Sequence, residues 1–285
     1  MFYKVDDRCR SMMNISRQGL DIPALDVLRR VVETAAQEEI LPRFGQGGSS
    51  VKDDGSLVTV ADTAMQARLG ADLAHHWPQF ALVGEEMTEA EQTVALAAPE
   101  GTWCLDPLDG TNNFVNGFPF FAVSLALLRG GVPVLGLVYD PLRGECFMAA
   151  RGVGAWLNDV PLPRVGKDRA LRRCVAAVDF KRLGPRLAAR LGVDPPYRSQ
   201  RSLGACALDW CWLAAGRVHL YLHGSQKLWD YAAGSLILQE TGGYAATIPG
   251  ESLNYRRLEC VSAVAAQTPN LYEAWRVWLD HNRDP

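Results

Sequence analysis

The sequence predicts a mixed fold of the α+β class, on three observations. Two early stretches, residues 22–41 and 61–74, repeat apolar residues at helical spacing. Between 102 and 157, short apolar runs follow one another, and 120–129 and 132–139 are joined by Gly130-Gly131 as adjacent strands would be. Beyond residue 167, strand-like and helix-like segments alternate.

In the first helix the buried positions are Leu25, Leu28, Val32, Ala35, Ala36 and Ile40, and Pro42 closes it. Residues 45–55 are rich in glycine and serine, carry Lys52-Asp53-Asp54, and predict a mobile loop. Structure resumes at 57–60, and the second helix carries Asp62 near its start. A buried strand at 80–83 runs into Gly84-Glu85-Glu86, and Glu89 and Glu91 extend that end as an acidic turn. A strand at 102–105 leads directly to Asp106. Pro107 has no N–H and a fixed φ, so it predicts the end of that strand. Asp109-Gly110 is a turn signal, and Thr111 is placed to cap a following helical turn.

Strands at 145–150 and 154–157 continue the first sheet. The pattern loosens over 161–167, which divides the chain into an N-terminal half at 22–165 and a C-terminal half at 166–285. Residues 1–21 show no period and read as a flexible lead-in. The second half predicts strands at 175–178, 218–222, 244–248 and 260–264, with helices at 183–191, 205–215, 230–241 and 271–279. Asp230 reads as the N-cap of its helix, and Thr241-Gly242-Gly243 as the C-terminal stop.

Composition narrows the function classes. In 285 residues, 48% are hydrophobic and 21% charged, which describes a globular chain able to bury a sizeable core. A net charge of −3 gives no electrostatic footprint for a nucleic-acid polymer. The longest apolar run, 118–128, contains Ser124 and falls well short of the ~18 residues that would span a membrane. The beginning of the chain lacks the apolar core of a secretory signal. Seven cysteines form no C-x-x-C pair, as reduced thiols in the cytoplasm would. His75 and His76 are adjacent, point in different directions and have no matching ligand cluster. No dinucleotide fingerprint or phosphate-binding P-loop occurs.

The chemistry concentrates on Asp106 and Asp109. Two carboxylates crowded at a strand end repel each other and call for a cation or a shared proton. A hard divalent cation such as Mg²⁺ prefers oxygen ligands, while backbone N–H groups at a turn suit an anion. A metal-bound phosphate satisfies both. Taken alone, Asp109-Gly110 also reads as a surface turn and Glu85-Glu86 as a solvated acidic one. Strand ends are where ligands gather in open α/β architectures, however, and Glu85 there adds a third carboxylate. At Trp229-Asp230-Tyr231-Ala232-Ala233-Gly234, the helix dipole keeps Asp230 ionised and the small residues permit close approach to another backbone.

Gly84-Glu85-Glu86, the stretch from Asp106 to Phe114, and the stretch from Trp229 to Gly234 resemble, in that order, the inositol monophosphatase family. That family belongs with the lithium-sensitive, magnesium-dependent phosphatases that include fructose bisphosphatases. Val58-Thr59-Val60-Ala61-Asp62 is similar to the family's V-T-x-x-D segment, and 204–218 to the helix and turn before its last motif. The resemblance covers roughly residues 22–280.

It implies a layered α-β-α-β-α sandwich, a site between the two halves, and a homodimer. Glu85, Asp106 and the Leu108 carbonyl would bind one Mg²⁺; Asp106, Asp109 and Asp230 a second. A weaker third ion would lean on Glu85 beside the 49–55 loop. Gly110 and Thr111 would offer backbone N–H groups to the phosphate. Glu85 and Thr111 would orient a metal-activated water as nucleophile, Asp62 would fix the Thr111 hydroxyl, and no covalent enzyme intermediate would form. The substrate is implied to be a small phosphate monoester resembling inositol monophosphate, contacted by Asp109, Gly110, Thr111, His223 and Asp230.

One departure bears on substrate. Where many inositol-cleaving members carry Glu seven residues before the W-D aspartate, this chain has His223. A carboxylate only accepts hydrogen bonds, whereas a neutral His offers one donor and one acceptor. The Lys52-x-Asp54 spacing also looks like members acting on 3′-phosphonucleotides or histidinol phosphate, and fructose bisphosphate stays open. Haloacid-dehalogenase phosphatases are a rival class, but their two aspartates stand two apart, not three, and near the chain start. A phosphate-ligand sensor without turnover is the non-enzymatic alternative.

Overall fold

The computed structural model describes residues 22–283 except 53, 54, 56 and 165–167. The lead-in expected over 1–21 and part of the 161–167 boundary lie outside the described residues.

Helix α1 (Leu25–Glu39) is followed by a 3₁₀ turn at Leu41–Arg43, with Pro42 inside it. The glycine-rich segment after it is not wholly irregular. Strands β1 (Ser50–Val51) and β2 (Leu57–Val58) pair antiparallel within it. Helix α2 (Val60–His76) begins with a capping box in which Thr59 and Asp62 satisfy each other's orphan groups. Strand β3 (Ala81–Gly84) leads to helix α3 (Glu89–Leu96), which replaces the acidic turn expected there. Its signal was Thr88-x-x-Glu91, whose side chains close a second capping box.

Strand β4 spans Thr102–Asp109 and therefore runs through Pro107, against the expectation that it stops there. It tolerates the proline because the ladder to β5 (Ala122–Arg129) is irregular between Asp106 and Asp109, so no regular bond is lost. The short helix α4 (Thr111–Val115) is capped by Gly110 at φ 91°, not by Thr111, whose hydroxyl is directed elsewhere. Strands β6 (Val132–Asp140), β7 (Glu145–Ala150), β8 (Gly154–Leu157) and β9 (Val160–Pro161) complete a seven-stranded sheet in the order β3-β4-β5-β6-β7-β8-β9. It is antiparallel apart from the β3–β4 pair.

The second sheet is built from β10 (Val175–Asp179), β11 (Ser199–Arg201), β12 (Leu220–Gln226), β13 (Tyr244–Ala246) and β14 (Val261–Ala266), in the order β11-β10-β12-β14-β13. Around it stand helices α5 (Pro185–Val193), α6 (Cys206–Ala214), α7 (Leu228–Glu240) and α8 (Pro269–Asn282).

Alternation along the strands sorts the apolar residues into three cores. Trp103 and Leu105 face α1 and α2, with Leu28, Val32, Met65 and Leu69. Cys104 points the other way, into a core shared with α6, α7 and the second sheet's Ala177, Tyr221 and Ala265. Ala176 and Val178 face α5 and α8, with Leu187, Leu191 and Trp275. The layers are therefore helix, sheet, helix, sheet, helix. A period of two forces this, because each strand residue and its neighbour enter different cores.

Helix α7 is the middle layer, and its small residues fit it there. A Cβ at Gly136 of β6 would lie 2.8 Å from the Ala233 carbonyl, and one at Gly234 would lie 2.3 Å from the Trp210 Cβ of α6. The Gly136→Ala variant should therefore lose about 1–3 kcal/mol of stability by overpacking a backbone contact. Urea unfolding checks it, and an unchanged midpoint would mean that α7 does not press on β6.

Candidate active site

Three segments converge where β4, α6 and α7 meet. Asp106 and Asp109 come from the irregular end of β4, and Asp230 from the first turn of α7. One carboxylate oxygen from each lies within 4.8 Å of the others. Asp230 sits three positions into the helix, behind Lys227 as N-cap, and not at the cap itself. Its Oδ2 accepts the Lys227 N–H at 2.8 Å. The Asp106 Oδ1 accepts the Leu108 N–H at 3.0 Å.

Asp109 ties the halves together. Its two oxygens accept the backbone N–H groups of Cys206 and Ala207, at 3.1 and 2.7 Å, at the start of α6. Ser124 performs a similar task unnoticed in the sequence. It pairs with Asp106 across the ladder, and its Oγ donates to the Trp229 carbonyl at 2.9 Å. That bond holds the start of α7 against the strand carrying the aspartates. The only signal was a hydroxyl inside an apolar run.

Electrostatics disfavour three bare charges in this place. Burial, then the charges of Glu85, Asp109 and Asp230, push the Asp106 carboxyl well above its ordinary range. Asp109 is pushed up by burial and by Asp230, against the two α6 N–H groups. Asp230 rises from the ordinary 3.8 to about 6, by burial and by Glu85. A cluster offering only crowded carboxylate oxygens fits a hard divalent cation, which would relieve the repulsion these shifts report.

Glu85 does not join the three-carboxylate cluster. It lies just past β3, with its N–H on the Leu105 carbonyl, and its Oε1 accepts from Lys52 Nζ at 2.9 Å. Lys52 also bonds Glu86 at 2.6 Å, so the glycine-rich loop reaches the site through an ammonium group. Asp54 lies outside the described residues. Thr111 and Asp62 do meet. The Thr111 hydroxyl lies 3.0 Å from both Asp62 Oδ1 and the Leu108 carbonyl oxygen. Asp62 Oδ2 is occupied by the Thr59 N–H and hydroxyl at 2.7 and 2.5 Å, which fixes the carboxylate. Burial raises the Asp62 proton affinity despite those bonds.

Gly110 has to be glycine. Beyond its positive φ, a Cβ would lie 3.1 Å from the Ala205 Cβ and the Phe120 carbonyl. His223, on β12, is buried. Its Nδ1 accepts the Ser225 N–H at 3.2 Å, so Nε2 carries the proton, 3.0 Å from Asp179 Oδ2 and 3.3 Å from Cys206 Sγ.

Comparison with known proteins agrees with this architecture. The model of the inositol monophosphatase family matches residues 22–279. An inositol monophosphatase of Mesembryanthemum crystallinum is 35% identical over 265 residues, 90% of this chain and 96% of that protein. The Nus factor SuhB of Pasteurella multocida is 37% identical over 207 residues, 71% of this chain and 76% of its own. Among solved structures, the Thermotoga maritima IMPase superposes with a TM-score of 0.78 at 25% identity, covering 90% of this chain and 96% of that one. The extragenic suppressor protein suhB of Bartonella henselae gives 0.75 at 29% identity, with the same coverages.

The crowding makes a pH prediction. A carboxyl whose folded pKa is raised stabilises the fold below its unfolded value, and that stability is lost as pH rises through the folded value. With chelator present, the melting temperature should fall as pH rises from about 4 through about 6, the window set by Asp230. Mg²⁺ at pH 7 should recover the loss. Asp106→Asn keeps an acceptor for the Leu108 N–H and removes a charge, so it should flatten both effects. A wild-type melting curve in chelator that rises steadily over this range would show that the three carboxyls do not repel.

Proposed function

The chain belongs to the inositol monophosphatase family and is a phosphoric monoester hydrolase, and we propose that it is a Mg²⁺-dependent phosphatase of a small phosphorylated metabolite. The observation carrying this reading is the convergence of two buried carboxylates at the end of β4 and a half-buried third from α7, next to the Thr111–Asp62 pair. Asp106, Asp109 and Asp230 would hold the metal, with Glu85 and the Leu108 carbonyl as further oxygen ligands. Two ions, or three with one beside the 49–55 loop, is the proposed complement. Bound there, Mg²⁺ supplies Lewis-acid activation of water and charge stabilisation of the departing oxygen.

The chain's own groups do the positioning. Gly110 and Thr111 begin a helical turn, and their N–H groups suit a phosphate oxygen. Thr111 Oγ1 donates to Asp62 Oδ1 and can accept a hydrogen bond from the attacking water. A proton leaving that water passes through Thr111 toward Asp62, whose burial makes it a better base. Thr59 keeps Asp62 from turning away. Asp109, Gly110, Thr111, Asp230 and His223 are the proposed substrate contacts.

The relatives' names, an inositol monophosphatase and a Nus factor, share a family rather than one stated substrate. Inositol monophosphate, 3′-phosphonucleotides, histidinol phosphate and fructose bisphosphate are therefore all candidates. Sensitivity to Li⁺, assembly as a homodimer and a cytoplasmic location belong to the same proposal. The described cysteines Cys104, Cys146, Cys174, Cys206, Cys211 and Cys260 are free thiols, which suits a reducing compartment. Among the described residues no helix is long and apolar enough to cross a membrane.

Phosphate release from a panel of those esters tests the reading, with Mg²⁺, with chelator, and with Mg²⁺ plus Li⁺. Turnover should require Mg²⁺ and fall with Li⁺. Metal binding without hydrolysis of any ester would overturn it. Thr111→Ala should lower kcat by about 10²–10⁴-fold, the range for a positioned acid–base group. An unchanged kcat would remove Thr111 from the proton path.

A further inference from the structure

The wall of the site facing the second sheet holds a carboxylate that the mechanism above does not use. Strands β10 and β12 run parallel, and their register sets Asp179, the last residue of β10, opposite His223. Past His223 the ladder from β12 to β14 breaks, and it resumes only at Gln226. The break frees the Ser225 N–H from the sheet, and it donates to His223 Nδ1 at 3.2 Å instead. The 3₁₀ turn after Asp179, Phe180–Arg182, is pressed on the same stretch, because a Cβ at Gly224 would fall 1.6 Å from the Arg182 carbonyl oxygen. Only glycine lets the two backbones come so close, so Asp179 and His223 are held in one fixed relation.

That relation uses up both ring nitrogens of His223. Nδ1 is an acceptor already taken, so the proton is on Nε2, which lies 3.0 Å from Asp179 Oδ2 and 3.3 Å from Cys206 Sγ. The ring has no acceptor left for a substrate hydroxyl, and its one N–H is spent. Asp179 is the opposite case. Its Oδ1 accepts the Lys181 N–H at 2.8 Å. With His223 that makes two bonds on a group whose oxygens offer about four lone-pair sites. Burial opposes its charge, but the His223 and Lys181 bonds outweigh burial and hold the Asp179 carboxyl below its ordinary value. On α6, burial and then the Asp179 charge push the Asp209 carboxyl well up, so that group favours its neutral form.

A chain of direct contacts ties this pair to the centre. Asp179 meets His223, His223 meets Cys206, and the Cys206 N–H is one of the two that hold Asp109, at 3.1 Å. The Asp179 side chain is 28% exposed where that of His223 is 5%, so Asp179 is the member of the pair that a substrate can reach. Strands β10 and β12 both end here, and ligands gather at such strand ends. We infer that Asp179 is the specificity residue on this side of the site, accepting a hydrogen bond from a hydroxyl of the substrate's alcohol part, with His223 and Ser225 as the device that aims it. This rests on the phosphatase reading above, and it moves the polar contact given there to His223 onto the neighbouring strand.

The test measures kcat/KM, with Mg²⁺, on pairs of esters that differ only in their hydroxyls. One pair is inositol 1-phosphate and cyclohexyl phosphate, the other glycerol 2-phosphate and isopropyl phosphate. Wild type, Asp179→Ala, Asp179→Asn and His223→Gln are compared. Wild type should prefer the hydroxylated ester in at least one pair. In Asp179→Ala that preference should shrink by about 10–100-fold, the value of a hydrogen bond to a charged group, and through KM rather than kcat. Asp179→Asn keeps the shape and loses the charge, so it should lose part of the preference. His223→Gln keeps an N–H at the ε position for Asp179 and should retain most of it. Equal losses on both members of each pair in the Asp179 variants would make the residue merely structural and overturn the inference, while leaving the phosphatase reading intact. Preference lost in His223→Gln but kept in Asp179→Ala would return the contact to His223 and overturn it too, as would a wild type with no preference in either pair. Mg²⁺ binding with no hydrolysis of any ester would instead sink the phosphatase reading, and this inference with it.

Discussion

Like-charge repulsion among Asp106, Asp109 and Asp230 is the constraint on which the architecture depends. Three carboxylates within 4.8 Å do not gather unless something forces them together. Here that force is the packing of α7 between the first sheet and α6, with the Ala233 and Gly234 backbone pressed on Gly136 and Trp210. The two Asp109 bonds to the α6 N–H groups and the Ser124 bond to Trp229 fix the arrangement in detail. Apolar burial in the central core therefore does electrostatic work, by holding charges where a cation is needed.

Much of this was legible in the sequence, because the signals were local. The helical period of α1, the alternation of β5 to β8 and the small residues of α7 each state what one element must do. The acidic motifs announced their chemistry by crowding carboxylates at strand ends. What escaped depends on partners distant along the chain. Pro107 reads as a stop, and only the irregular pairing with β5 lets the strand pass through it. Asp230 reads as a cap, and only its place on α7 turns it toward Asp106. Ser124 carries no signal by itself. Helix α3 is legible as well, in the Thr88–Glu91 capping box that stands inside the acidic run.

The site divides its labour between the halves of the chain. The first sheet supplies Asp106 and Asp109, α2 supplies Asp62 and α4 supplies Thr111, the groups that would hold a cation and handle a proton. The second half supplies Asp230 from its middle helix, and His223 and Asp179 from its sheet. Lys52 stands apart, as a cation supplied by the short β1–β2 ribbon to Glu85 and Glu86. Its ammonium is held charged by those two carboxylates against the cost of burial.

Gly224 of β12 leaves no room for a side chain, since a Cβ there would fall 1.6 Å from the Arg182 carbonyl oxygen. The Phe180–Arg182 turn lies against that glycine, with Phe180 packed on the core that faces α5 and α8. A side chain at position 224 would therefore part β12 from the turn that follows β10, and loosen the strand that carries His223.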